Sequence, residues 1–190
     1  MPSTTSSARR ASPLPPAERR DAILTAVLPL LLERGAAVTS RELAAAAGVA
    51  EGTIFKVFTD QDDLLLAAFE RAADPTPFQQ AVAAIDPDLP FEERLVAATA
   101  LMQRRLLDIT RLHSQIDPAG RRPAPDRLPD DPAMTAVFES APESVRLAPN
   151  EAARPLRAVV LNLSNPVFVD PPLDARQIVD LFLHGVGSDR

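Results

Sequence analysis

The sequence predicts an all-helical protein, and three observations carry that reading. Apolar residues recur at spacings of three and four along nearly the whole chain, while the strict alternation of a half-buried strand is almost absent. Helix-start signals stand at Thr39–Glu42 (T-x-x-E) and in "DARQ" from Asp174. The proline-rich stretches, above all "DPAGRRPAPDRLPDDP" at 117–132, fall between the periodic segments.

The elements follow in order. From Ala17 to Arg34, Ile23, Val27, Leu30 and Leu31 make one apolar face. Pro29 sits inside that run and costs about 3 kcal/mol or bends the helix, which Gly35 ends. Three short helices are predicted next, over Thr39 to Ala47, Glu51 to Phe58 and Asp62 to Ala73. After "DPTPF" (74–78) the helices lengthen. Phe91 to Ile116 carries Leu95, Ala98, Met102, Leu106, Ile109, His113 and Ile116 on one stripe. The 117–132 segment reads as a mobile loop, Met134 to Ser140 as a short helix, and Asn150 to Asn165 as a helix with Leu156, Val159, Val160 and Leu163 on one face and Pro155 disturbing its start. A last helix from Asp174 buries Ile178, Leu181, Phe182 and Val186.

Composition narrows the function. The absence of cysteine excludes cysteine-bound zinc fingers, disulfide scaffolds and thiol catalysis. No apolar run is long enough to cross a bilayer, and "MPSTTSSARRASPLPP" lacks the apolar core of a secretory signal, so a cytoplasmic protein is expected. Net charge is −6. Residues 1–58 nevertheless hold seven basic side chains (Arg9, Arg10, Arg19, Arg20, Arg34, Arg41, Lys56) against five acids, so the acidity lies in the remainder.

The stretch "SRELAAAAGVAEGTIFKVFTDQDDLL" (40–65) is the most informative. Thr39 and Glu42 start a helix firmly. Leu43 and Ala47 face inward, and Ala44 is small where a second helix crosses. Gly48 supplies a left-handed turn, Val49 fills the corner and Ile54 anchors the next helix. These intervals define a helix-turn-helix, whose second helix reads the major groove. An αα-hairpin of an ordinary bundle shares the turn. The outward residues Glu51, Gly52, Thr53, Phe55 and Lys56, too polar or too small for a core, favour the DNA-reading motif.

Through "RRDAILTAVLPLLLERGAAVTSRELAAAAGVAEGTIFKVFTDQDDLLLAAF" the sequence resembles the tetracycline-repressor (TetR) family of transcriptional regulators. The resemblance implies a flexible arm (1–16), a helix-turn-helix domain (17–73), and a helical ligand-binding and dimerisation domain (74–190). It also implies a homodimer joined through its last two helices, a double-stranded DNA operator, a small-molecule effector and no cofactor. Three positions depart from the family pattern. Ala50 replaces a serine before the recognition helix, Phe55 a tyrosine, and Gln61 a lysine at the start of the fourth helix. Each departure removes a phosphate contact, so a shallow salt dependence of DNA binding is expected. By position, Glu51, Thr53 and Lys56 would face base edges beside Gly52, with Lys56 suited to guanine and Glu51 to cytosine. Ser40, Arg41, Phe55 and Gln61 would lie near phosphates. Arg9/Arg10 and Arg19/Arg20 would be mobile pairs, able to compensate from the minor groove.

Nothing in the sequence points to an enzyme. His113 and His184 lie apart in helical patterns, no phosphate loop or metal-binding pair occurs, and the acid pairs Glu92–Glu93 and Asp130–Asp131 read as solvated charge. An apolar effector pocket is assigned to Met102, Leu106, Ile109, His113 and Phe138. The dimer interface is assigned to Leu156, Val159, Val160, Leu163, Ile178, Leu181, Phe182 and Gly185, although these residues could equally complete the monomer's core. The expected function is a dimeric repressor released from a palindromic operator by a small hydrophobic ligand. The alternative is a helical ligand- or protein-binding module that kept the fold and lost strong DNA binding.

Overall fold

The structure is a computed structural model that describes residues 15–116 and 130–185. Arg9, Arg10, Val186 and residues 117–129 lie outside the described residues. Within them the regular elements are helical: α1 (Pro16–Arg34), α2 (Ser40–Ala47), α3 (Glu51–Val57), α4 (Gln61–Ala73), α5 (Thr76–Ala83), α6 (Phe91–Ile116), α7 (Pro132–Glu139), α8 (Pro149–Leu163) and α9 (Ala175–His184). Single 3-10 turns follow α1 and α7. No described helix is long and apolar enough to cross a membrane. The chain divides into two compact units, Met1–Leu64 and Leu65–Arg190.

In the first unit, α1 packs on α2 and α3. Its buried face is Ile23, Leu24, Val27 and Leu31, so Leu24 takes the place expected for Leu30. These side chains meet Val38, Leu43, Ile54 and Phe58, all nearly inaccessible. At about 1.5–3 kcal/mol for each large apolar side chain buried, this small core opposes the entropy of ordering α1, α2 and α3. Pro29 stays within α1, and Gly35 ends the helix at φ 56°, its N–H donating to Leu31 O.

In the second unit, α6 is the central helix and packs against α5, α7, α8 and α9. Its core joins Phe78 and Val82 of α5, Leu95, Ala98 and Met102 of α6, and Met134 and Phe138 of α7 to Leu156 and Val160 of α8 and Ile178 of α9. Helix α5 is not announced by the sequence pattern. It has only eight residues and begins at Thr76 between two prolines, and its apolar signal is the single pair Phe78–Val82. Helix α6 has the predicted bounds, but no one face is buried along its 26 residues. Toward the C-terminal end Leu112 is buried and His113 is exposed.

The acid pairs also differ from expectation. Glu93 receives a two-pronged hydrogen bond from Arg176 at 2.7 and 3.0 Å, joining α6 to α9, and the arginine holds its carboxyl below the usual range. Asp130 pairs with Arg154 at 2.6 Å, and Asp131 caps α7 by accepting from Met134 N–H at 3.1 Å. Glu93, Asp130 and Asp131 thus each have a distinct role, while Glu92 is exposed. The predicted capping box of the last helix is present, with Asp174 accepting from Gln177 N–H at 2.9 Å.

Candidate nucleic-acid interface

The site begins at the start of α2. Thr39 Oγ1 accepts from the Glu42 N–H at 3.3 Å, and Glu42 Oε2 accepts from the Thr39 N–H at 2.9 Å and from its hydroxyl at 2.7 Å. Arg34 adds a two-pronged bond to the same carboxylate at 2.6 and 3.4 Å. Held first by Thr39 and then by Arg34, the Glu42 carboxyl is lowered from 4.5 to about 2. The N–H groups of Thr39 and Glu42 at this helix end are thereby satisfied within the chain.

The turn between α2 and α3 is set at Gly48, with φ 64° and ψ 30°. Its N–H donates to Ala45 O at 3.2 Å and that of Val49 to Ala44 O at 3.0 Å, which closes α2 in the left-handed manner that a Cβ resists. Leu43 and Ala44 are buried, and Ala47 is half-exposed. The small residue at the crossing is therefore Ala44, as the spacing requires.

Helix α3 has seven residues, too few to be stable alone. Its N-cap Ala50 makes no side-chain cap bond. Instead the helix is pinned at its other end. Ile54 and Phe58 are 2% and 1% exposed. Arg20 of α1 donates to Val57 O at 3.2 Å, stands 4.3 Å over the Phe58 ring and pairs with Asp63 at 3.4 Å. Asp63 in turn accepts from the Thr59 N–H at 2.9 Å, the larger reason its carboxyl is lowered. Arg20 is thus a fixed part of the scaffold and not one of a mobile pair. It lies in the ordered first turns of α1, where Phe58 and Asp63 are within reach. The sequence signal that could have found it is the i, i+4 position of Arg20 behind Leu24, on the buried side of α1.

With Ile54 turned inward, Glu51, Gly52, Phe55 and Lys56 are exposed and Thr53 is half-buried. Phe55 is 47% exposed, unusual for an aromatic ring in so small a unit. A Cβ at Gly52 would meet nothing within 4 Å, so the fold does not require glycine there. Arg41 is exposed on α2 and Ser40 half-buried. Gln61 turns inward: its Nε2 donates to Ala36 O at 3.0 Å and Val38 O at 3.1 Å, tying the approach to α2 to the first turn of α4.

The remaining predicted residues lie in the second unit. Met102 and Phe138 are buried in its core with Leu106 packed against them, Ile109 is half-buried, and His113 is exposed, its ring 5.8 Å from that of Phe69. Leu156, Val160 and Ile178 are fully buried within the chain itself. Val159, Leu163, Leu181 and Phe182 are half-buried, Gly185 is exposed, and Phe182 stands 6.2 Å from Phe138. Among the described residues, no three His, Cys, Asp or Glu side chains converge to hold a metal ion.

With this geometry in place, residues 23–68 match the family model described as bacterial regulatory proteins, tetR family. Solved structures agree over most of the chain. A tetR-family regulator from Mesorhizobium loti superposes with a TM-score of 0.58 at 16% identity, covering 90% of this chain and 98% of its own. A TetR regulator from Streptomyces coelicolor gives 0.56 at 23%, covering 88% and 97%. One from Haemophilus influenzae gives 0.50 at 17%, covering 89% and 96%. A search of curated proteins finds no match. Residues 23–68 therefore carry the DNA-binding helix-turn-helix of bacterial regulatory proteins of the tetR family, formed by α2 and α3, and the chain as a whole is similar in fold to regulators of that family.

Proposed function

We propose that the protein is a dimeric repressor, set on a palindromic operator by α3 and released by a small apolar ligand bound in the second unit. The observation that carries this reading is the two-sidedness of α3. Its inner side is fixed by Ile54, Phe58 and Arg20, and its outer side offers Glu51, Gly52, Thr53, Phe55 and Lys56 to solvent. A short helix anchored so firmly and bare on its far side suits insertion into a major groove. Lys56 and Glu51 would meet base edges, and Arg41 and Ser40 the phosphates. Two copies would place their α3 helices about 34–36 Å apart, one turn of duplex.

Of the residues assigned to the dimer interface, Val159, Leu163, Leu181, Phe182 and Gly185 keep surface for a partner. Leu181 is the cleanest probe, because Phe182 is also committed to the Phe138 ring. Wild type is expected to sediment as a dimer and Leu181→Glu as a monomer. A monomeric wild type defeats this part of the reading. The effector would bind the second unit, whose apolar core includes Met102, Leu106 and Phe138 with Ile109 and His113 toward its edge. Ligand that favours the splayed dimer lowers DNA affinity by the same coupling energy. Such a protein acts in the cytoplasm and needs no cofactor.

The direct test is a gel shift on DNA flanking the protein's own gene, at low and moderate salt. Retardation that fails with Lys56→Ala supports the reading; no retardation at either salt favours a helical binding module that has lost DNA affinity. Two observations favour that second reading: Ala50 provides no cap, and Gln61 spends its amide on its own backbone.

A further inference from the structure

The second unit holds a recess of about 600 Å3 between the C-terminal half of α6, the end of α8 and the connection into α9. It opens beside Gln103, Leu107 and Arg111, not on the stripe that carries Met102 and Leu106. Its size is within the range of small-molecule sites. Leu107, Leu161, Pro172 and Leu173 give it apolar walls. Gln103 donates from Nε2 to Leu173 O at 2.8 Å, which fixes the α9 side of the recess against α6.

Two polar groups in this wall have hydrogen-bonding capacity left for a ligand. Ser164 is 4% exposed, and its hydroxyl oxygen is buried without a hydrogen-bond partner in the protein. Buried hydroxyls are nearly always paired, so this one is suited to a group that enters the recess. Arg111 is exposed at the same recess; its charge acts on the Asp108 carboxyl of α6, but no salt bridge at hydrogen-bond distance ties up its guanidinium among the described residues. The acid that shares the wall, Asp174, is occupied in capping α9 through Gln177 N–H. Thr110 donates its own proton to Leu106 O and offers no donor inward.

We propose that this recess binds a small amphipathic carboxylate. The carboxylate accepts from the Arg111 guanidinium and the Ser164 hydroxyl, and the hydrocarbon lies on Leu107, Leu161 and Leu173. An arginine presents donors only, and its planar fork matches a carboxylate, which excludes amines and leaves neutral chains with half the interaction. As the place where an effector acts, the site rests on the regulator reading; as a binding site it does not.

Sodium octanoate and octan-1-ol serve as probes in calorimetric titrations of the full chain. Octanoate is expected to bind wild type, about tenfold or more weaker to Arg111→Gln, and several-fold weaker to Ser164→Ala. Octan-1-ol affinity should be the same for wild type and Arg111→Gln. Octanoate uptake that ignores both substitutions, or no uptake by wild type at millimolar octanoate, overturns the proposal. Gel shifts on the same preparations separate the two readings. Protein that retards DNA but takes up no octanoate overturns the recess alone. Protein that binds octanoate through Arg111 yet retards no DNA supports the recess and removes the regulator.

Discussion

Replacing Arg20 by methionine keeps most of the side chain's length and deletes the three polar interactions by which α1 holds the end of α3. The hydrogen bond to Val57 O, at 3.2 Å, contributes about 0.5–1.5 kcal/mol. The guanidinium 4.3 Å over the Phe58 ring adds about 0.5–1 kcal/mol. The pair with Asp63 is long, at 3.4 Å, and both side chains keep more than a third of their surface in water, so it adds about 0–0.5 kcal/mol. The expected loss is about 2 kcal/mol, a large part of what so small a unit has to spare. Urea unfolding followed by helical circular dichroism measures it. DNA binding should weaken only because less of the unit is folded, so the slope of log affinity against log salt stays unchanged. The contrary outcome is equally clear. Unaltered stability together with a salt slope shallower by about one unit means that Arg20 neutralises a phosphate and is not a clamp.

Three further outcomes follow from the same unit. Gly48→Ala meets no neighbour within 4 Å, so its cost is the left-handed backbone alone, about 1–2 kcal/mol, and Gly48→Asn should recover much of it in the same urea experiment. Thr39→Ala should cost about 1 kcal/mol as a lost N-cap. Because Glu42 is lowered from 4.5 to about 2 in the fold, its contribution is complete above pH 4.5 and is lost as the pH falls through about 2. The difference between Thr39→Ala and wild type should therefore narrow on acidification in that window, and a difference constant down to pH 2 would contradict the assignment. Phe55→Tyr, on the exposed side of α3, should tighten DNA binding by restoring a hydroxyl for a phosphate; if titrations show no change, that position does not face the phosphate backbone.

The parts legible in the sequence are those fixed by local chemistry. Thr39 with Glu42, Asp174 with Gln177, and Gly48 each define their own boundary within four residues, and the structure reproduces all three. What was hidden depends on distant partners. Arg20 reads as a loose charge until Phe58 and Asp63, some forty residues on, are folded against it. Helix α5 is stable because Phe78 and Val82 enter the core of the second unit, not because eight residues prefer a helix. The α6 stripe is legible as far as Met102; beyond it burial passes to Leu112, since period alone does not say which neighbour a long helix meets at each turn. In the same way the periodicity of α8 and α9 marks Leu156, Val160 and Ile178 as apolar without distinguishing the chain's own core from a partner's surface.

Gly52 separates folding from function most sharply. Glycine in a helix costs about 0.5–1 kcal/mol relative to alanine, and α3, uncapped at Ala50 and only seven residues long, is poorly placed to bear that cost. Nothing in the chain compensates, because a Cβ there would stand in open space and the backbone is ordinary helix. If α3 lies in a major groove, the compensation is close approach of its first turn to the duplex, where a methyl group would keep the helix away. Gly52→Ala should then raise the urea midpoint by an amount equivalent to about 0.5–1 kcal/mol while weakening operator binding. Opposite signs in the two assays cannot come from a general loss of structure. If Gly52→Ala stabilises the protein and binds DNA as wild type does, the first turn of α3 is not the surface that approaches the bases.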